Sequence, residues 1–170
     1  MKSLILNRLA VVGLGLAALT SCTNLNENSE WGNGSKVKFS SYIAGQKAVR
    51  ASGTAWTNGD QVGIFMKQGA TVKSANVKYV ADDRGNLTAA TASEALAYPS
   101  DNSAVDFVAY YPYAASAASG TYDVNVSNQS NLPAIDLLYA NNATNKTAAS
   151  GEVNLGFTHQ LTQIVLNITT

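Results

Sequence analysis

The sequence predicts an all-β protein, an antiparallel β-sandwich of about six to eight short strands, and three observations carry that prediction. Apolar and polar residues alternate with period two in several separate stretches, as half-buried strands do. Gly, Asn, Asp and Ser bound those stretches, and these are the residues that make tight turns. Charged residues make up only 13% against 46% hydrophobic, with 13 glycines and 3 prolines, which suits many turns joining short strands better than long charged helices.

Each element follows from its own pattern. Val37, Phe39 and Ile43 share a parity and predict the first strand. Val62, Ile64 and Met66 predict the next, then Val77, Tyr79 and Ala81, then Val105, Phe107, Ala109 and Tyr111. Tyr122, Val124 and Val126 predict a fifth, and Val153, Leu155, Phe157 and Leu161 a sixth. The apolar run at 136–140 (DLLYA) fits a strand lying under both layers. Turns are expected at Asn58-Gly59-Asp60, at Asp83-Arg84-Gly85-Asn86 and at Ser119-Gly120, where residues that tolerate positive φ cluster. Leu161, Ile164, Val165 and Ile168 have helical spacing, but Ile164, Leu166 and Ile168 alternate cleanly, so this stretch reads as a strand with a bulge near Gln163. The Ala-rich segment 88–97 is compatible with a turn of helix without demanding one.

Charge and composition exclude several functions. Lys plus Arg equals Asp plus Glu at 11 each, so no basic surplus exists to displace counterions from DNA or RNA, and nucleic acid is not an expected partner. One Cys and one His supply neither a disulfide framework nor a multi-ligand zinc site. No cofactor and no metal are expected, with a calcium site built from converging loop carboxylates as the open alternative.

The N-terminus reads as an address. Lys2 and Arg8 form a basic start, residues 9–19 (LAVVGLGLAAL) an apolar stretch, and Leu19-Thr20-Ser21-Cys22 closes it with small residues before the cysteine. The apolar stretch is roughly half the ~20 residues that cross a bilayer as a helix. The pattern resembles a bacterial lipoprotein signal peptide, which implies cleavage before Cys22 and a lipid on its thiol. Residues 23–35 (TNLNENSEWGNGS) are polar with paired glycines and read as a tether.

Chemistry is sparse. His159 shares the parity of Phe157 and Leu161, which suits a hydrogen-bonded packing histidine, and no nucleophile motif accompanies it. Asp60, Asp82, Asp83, Asp101 and Asp106 fall mostly in predicted turns, where Asp is favoured for bonding local backbone. Tyr110, Tyr111 and Tyr113 surround Pro112; they suit a glycan or protein contact, but Tyr111 in the core, Tyr110 covering the other face and Tyr113 closing a turn is the better account. Residues 46–53 (QKAVRASG) place Arg50 among small residues, in a loop that a trypsin-like protease could enter, although the pattern alone favours an ordinary solvated basic loop.

Six strings, taken in order, carry a resemblance: KVKFSSYI at 36–43, VRASGTAWTNGDQVGIFM at 49–66, NVKYVADDRGNL at 76–87, VDFVAYYPY at 105–113, IDLLYANN at 135–142 and VNLGFTHQL at 153–161. With W-x-x-G-D running into an apolar strand, F-x-H-x-L near the end and the signal ending at Cys22, the chain resembles the fimbrillin family of Bacteroides-type bacteria, the Mfa-like fimbrial subunits. The resemblance implies a Greek-key, transthyretin-like β-sandwich without enzymatic activity. It further implies export as an outer-membrane lipoprotein, removal of an N-terminal strand by an arginine-specific surface protease, and replacement of that strand by one from a neighbouring subunit. Carried onto this chain, Cys22 matches the lipidation site, Arg50-Ala51 the processing bond, and Val37, Phe39 and Ile43 the removable strand.

The expected organisation is a signal peptide at 1–21, a tether with the removable strand at 22–50, and a sandwich domain at 51–170, the first of two domains in a usual subunit. Two rivals stand beside this reading. One is a monomeric surface lipoprotein that binds host glycans or proteins through Tyr110–Tyr113. The other is a hydrolase fragment using Asp82 or Asp83.

Overall fold

The computed structural model describes residues 34–44, 55–131 and 134–161. Cys22, Arg50, Ala51 and the strand expected at 164–168 lie outside the described residues. Seven strands are present among those described: β1 (Phe39–Ile43), β2 (Gln61–Gln68), β3 (Thr71–Ala81), β4 (Asn86–Ala89), β5 (Val105–Tyr111), β6 (Leu138–Lys146) and β7 (Val153–His159). Short 3-10 turns at Ala92–Glu94, Ala115–Ser119 and Ala148–Ser150 link them.

The all-β class holds, but the two-sheet sandwich does not. The strands form one closed barrel in the order β1-β4-β3-β2-β5-β6-β7. Register shifts within the β2–β3 and β5–β6 pairs bend the sheet, as bulges do. That curvature brings β4 and β7 within one strand of each other, and β1 fills the space. It runs antiparallel to β4, with Phe39 opposite Leu87, and parallel to β7, from Phe39 opposite Val153 to Ile43 opposite Phe157. The β1–β7 pair is therefore a departure from the purely antiparallel expectation.

The predicted inward residues fill the barrel. Val62, Ile64, Val105, Phe107, Val153, Leu155 and Phe157 are essentially inaccessible, and Ala81, Ala109, Ala140 and Ala143 fit between them where a small barrel leaves little room. Phe39 meets Tyr79 and Phe107 edge-on, with ring centroids 5.3 and 5.0 Å away. The predicted turns place Gly59, Gly85 and Gly120 at positive φ.

Two expectations on the exposed side fail. Residues 122–126 form no strand, and Val124 and Val126 are 43% and 47% exposed. The side chains of Asn125 and Asn128 accept bonds from the Ser127 and Ser130 amides, local turns that compete with a strand ladder. Leu161 is exposed rather than inward, because β7 ends at His159. In the other direction, β4 and the polar second half of β6 are strands that the hydrophobic pattern alone did not announce.

Candidate functional site

The seat of β1 is the most distinctive feature of this barrel. Upstream of the strand, Lys36 and Ala97 form an isolated bridge, the Tyr98 amide donates to the Ser35 carbonyl, and the Val37 amide donates to the Leu96 carbonyl at 2.9 Å. The strand proper is gripped from both sides. The Val153 amide donates to the Lys38 carbonyl, the Ser41 amide to the Gly85 carbonyl at 2.7 Å, and the Ala44 amide to the Phe157 carbonyl at 2.8 Å. Val37 and Phe39 are buried and Ile43 is half-buried, so all three predicted residues line the inner face. Sequence reasoning missed a fourth: Ser41 has the same parity, is buried, and donates its hydroxyl to the Gly85 carbonyl at 2.8 Å. Its position in the alternation was the available signal.

Tyr79 frames the far side of the seat. Its hydroxyl accepts the Leu96 amide at 2.9 Å, and burial raises its pKa, an effect that this bond partly offsets. The two strings W-x-x-G-D and F-x-H-x-L meet at one end of the barrel. Trp56 is buried and packs edge-on against Phe157 and Tyr111, at centroid distances of 5.0 and 5.5 Å. Asp60 accepts the Thr57 amide at 2.8 Å through one oxygen and the Tyr111 hydroxyl at 3.2 Å through the other. Burial, then the neighbouring Asp60 carboxylate, push Tyr111 up to about 12. His159 sits at the end of β7 with Nδ1 2.8 Å from Asp136 Oδ1, the hydrogen-bonded packing role expected of it.

β7 has little backbone pairing on its other side. β6 matches it at Leu138 opposite His159 and at Tyr139 opposite Thr158. Further along, the Asn142 side chain substitutes for the ladder: its amide donates to the Asn154 carbonyl at 3.0 Å and its oxygen accepts the Gly156 amide at 2.9 Å.

Tyr110, Tyr113 and Asp82, residues of the rival readings, are engaged in the fold. Tyr110 is buried; its hydroxyl lies 2.7 Å from Asn76 Oδ1 and 2.8 Å from the Ala114 carbonyl, and it accepts the Ala114 amide at 3.1 Å. Gly63 makes room for this cluster, since a Cβ there would lie 2.3 Å from the Tyr110 ring. The Tyr113 amide donates to the Gln61 carbonyl, and Lys78 lies 4.8 Å over its ring. The Asp82 carboxylate accepts the Asn86 side chain and the Asn86 and Arg84 amides, organising the β3–β4 turn. These bonds, chiefly that of the Asn86 side chain, hold its pKa below the usual range. The Asp101 and Asp106 carboxylates likewise accept the Ser103 and Asn145 backbone amides. Among the described residues no three His, Cys, Asp or Glu side chains gather as a metal site would need.

Comparison with known proteins places this geometry in a family. The chain is 33% identical over 160 residues to Fim1C, a candidate fimbrium subunit of Bacteroides uniformis, an alignment covering 91% of this chain and 52% of that protein. A crystal structure of a candidate cell adhesion protein from Bacteroides uniformis superposes with a TM-score of 0.60 at 32% identity, covering 74% of this chain and 47% of the other. A fimbrial protein and a candidate cell adhesion protein from Bacteroides ovatus share the fold, with TM-scores of 0.52 and 0.53 at 20% and 19% identity; the matches cover 73% and 74% of this chain and 28% and 52% of those chains. The chain thus spans about half the length of the Bacteroides uniformis relatives. Since the pattern of the fimbrillin-like family also matches residues 49–170, the chain belongs to that family.

Proposed function

We propose that this chain is a fimbrial structural subunit or accessory adhesin, exported as a lipoprotein through Cys22 and assembled by strand exchange after an arginine-specific protease cuts between Arg50 and Ala51. In this reading β1 is the removable strand, a strand of a neighbouring subunit replaces it, and the lipid holds the precursor at the outer membrane, exposed on the cell surface. Beyond family membership, one observation carries the reading. Among the described residues β1 alone joins β4 to β7, while the other six strands keep an unbroken order, β4-β3-β2-β5-β6-β7, without it. Among the described residues the next strand in the chain, β2, is not a neighbour of β1 in the sheet, so no hairpin between them ties β1 down.

Loss of β1 would open an apolar groove with two unpaired edges, a costly state that an added strand repairs through backbone bonds and side-chain pockets. Fully burying a side chain such as Val37 or Phe39 is worth roughly 1.5–3 kcal/mol, and both are buried here. A head-to-tail exchange of this kind extends into an open filament rather than closing a ring.

Digestion of the chain from Cys22 onward, made without lipid, with an arginine-specific protease tests the reading. A cut after Arg50 is expected, leaving a folded core that takes up a donor strand and gains mass by that amount. Resistance at Arg50, or a cut that only unfolds a monomer, would bring the monomeric surface-binding reading forward.

A further inference from the structure

The wall of the β1 seat is not uniform. Opposite Phe39 it consists of the rings of Tyr79 and Phe107. Beside Ser41 it is the backbone of Gly85, whose carbonyl oxygen accepts both the Ser41 amide at 2.7 Å and the Ser41 hydroxyl at 2.8 Å. That separation suits an O–H donor; a carbon keeps ~3.3–3.6 Å from a carbonyl oxygen even in a favourable contact. Gly85 packs closely against β1. It adopts φ +81°, and a Cβ on it would lie 2.1 Å from the Ser41 carbonyl oxygen and 3.2 Å from Trp56 Cδ1. The turn behind it is fastened by the three bonds to the Asp82 carboxylate, at 2.7 to 2.9 Å.

We propose that this seat selects its strand by size at one position: it takes a side chain no larger than serine at the place of Ser41, an aromatic at the place of Phe39 and branched apolar residues at the places of Val37 and Ile43. The occupant is an extended segment of that pattern running parallel to β7 and antiparallel to β4. The proposal rests on the strand-exchange reading for its use in assembly, and it states the pattern of the donor strand that reading leaves open. It also excludes one. The segment Tyr122–Val126, its two valines exposed, has strand-like alternation, but with Tyr122 in the seat of Phe39 it brings Val124 against the Gly85 carbonyl. The exposed valines of a second copy are therefore not the donor.

The test uses the chain cut after Arg50 with its own strand still seated. Labelled peptides of residues 34–44 compete for the seat, as the parent sequence and with Ser41→Ala or Ser41→Leu. The parent peptide is expected to exchange in, Ser41→Ala to bind within about tenfold of it for one lost hydroxyl bond, and Ser41→Leu to bind at least about tenfold more weakly again. Equal binding of the parent and Ser41→Leu peptides overturns the size rule and leaves strand exchange standing. If no peptide enters, the exchange reading falls, and the uncut protein decides the size rule. There, Ser41→Leu should melt several degrees below Ser41→Ala; a leucine variant that melts with the parent overturns it.

Discussion

Residues 37–43 and 122–126 carry the same alternation of apolar and polar side chains, and they end in opposite environments. The first lies between β4 and β7 with Val37 and Phe39 buried, and the second runs outside the barrel with its valines nearly half exposed. The difference lies in the edges available. A strand needs a neighbour with free amides and carbonyls, and the bent sheet offers a slot flanked by β4 and β7, which β1 fills. Tyr122 instead packs on the ring of Tyr110, at 5.4 Å, and the asparagines after it turn the chain locally. Alternation thus records competence to be a strand, and topology decides which competent segment becomes one.

Substitutions can break or sharpen this contrast. Phe39→Ala should lose about 3–5 kcal/mol in denaturant unfolding, as truncation of a packed core aromatic does, whereas Val124→Ala should stay within about 0.5 kcal/mol. Equal losses would erase the distinction between the two segments. Gly85→Ala and Gly120→Ala make a second pair. Both residues have positive φ, but nothing lies within 4 Å of a Cβ at Gly120, while one at Gly85 would collide with β1. Gly120→Ala should cost about 1–2 kcal/mol; Gly85→Ala should exceed it and speed amide exchange in β1.

Asn142→Ala removes two bonds to β7 and should cost about 1 kcal/mol, with faster exchange at the Gly156 amide; unchanged exchange there would deny Asn142 its role of holding β7 to β6. The smallest effect is alkaline. Tyr111 stays protonated in the fold to about 12, while the unfolded chain ionises near ~10. The stability it contributes is therefore full below pH ~10 and lost as pH climbs toward 12. Tyr111→Phe should flatten that part of the stability curve, and an unchanged curve would remove Tyr111 as its source.

Much of the barrel was legible because inward parity needs only the residue pattern: Val62, Ile64 and Met66, or Val153, Leu155 and Phe157, each announce a buried face. Closure was not legible. It depends on bulges in β2–β3 and β5–β6 and on a parallel contact between the first strand and the last described one, and none of these leaves a local signature. The short strand β4 holds one buried apolar side chain, Leu87, too few for a period. At the candidate site, Val37, Phe39 and Ile43 were found by parity. Ser41 and Gly85 were passed over because a serine in a strand and a glycine in a turn each have an ordinary explanation until the two are seen touching.

The central claim is that β1 can leave while the other six strands remain a sheet. Amide hydrogen exchange, read by mass spectrometry on the chain before and after a cut at Arg50 with the released strand washed away, tests it most directly. The account predicts that β2, β3, β5 and β6 keep their protection while amides of β4 and β7 facing the seat open, and that adding back a peptide of residues 34–44 closes them. Loss of protection across all six strands after the cut would contradict it.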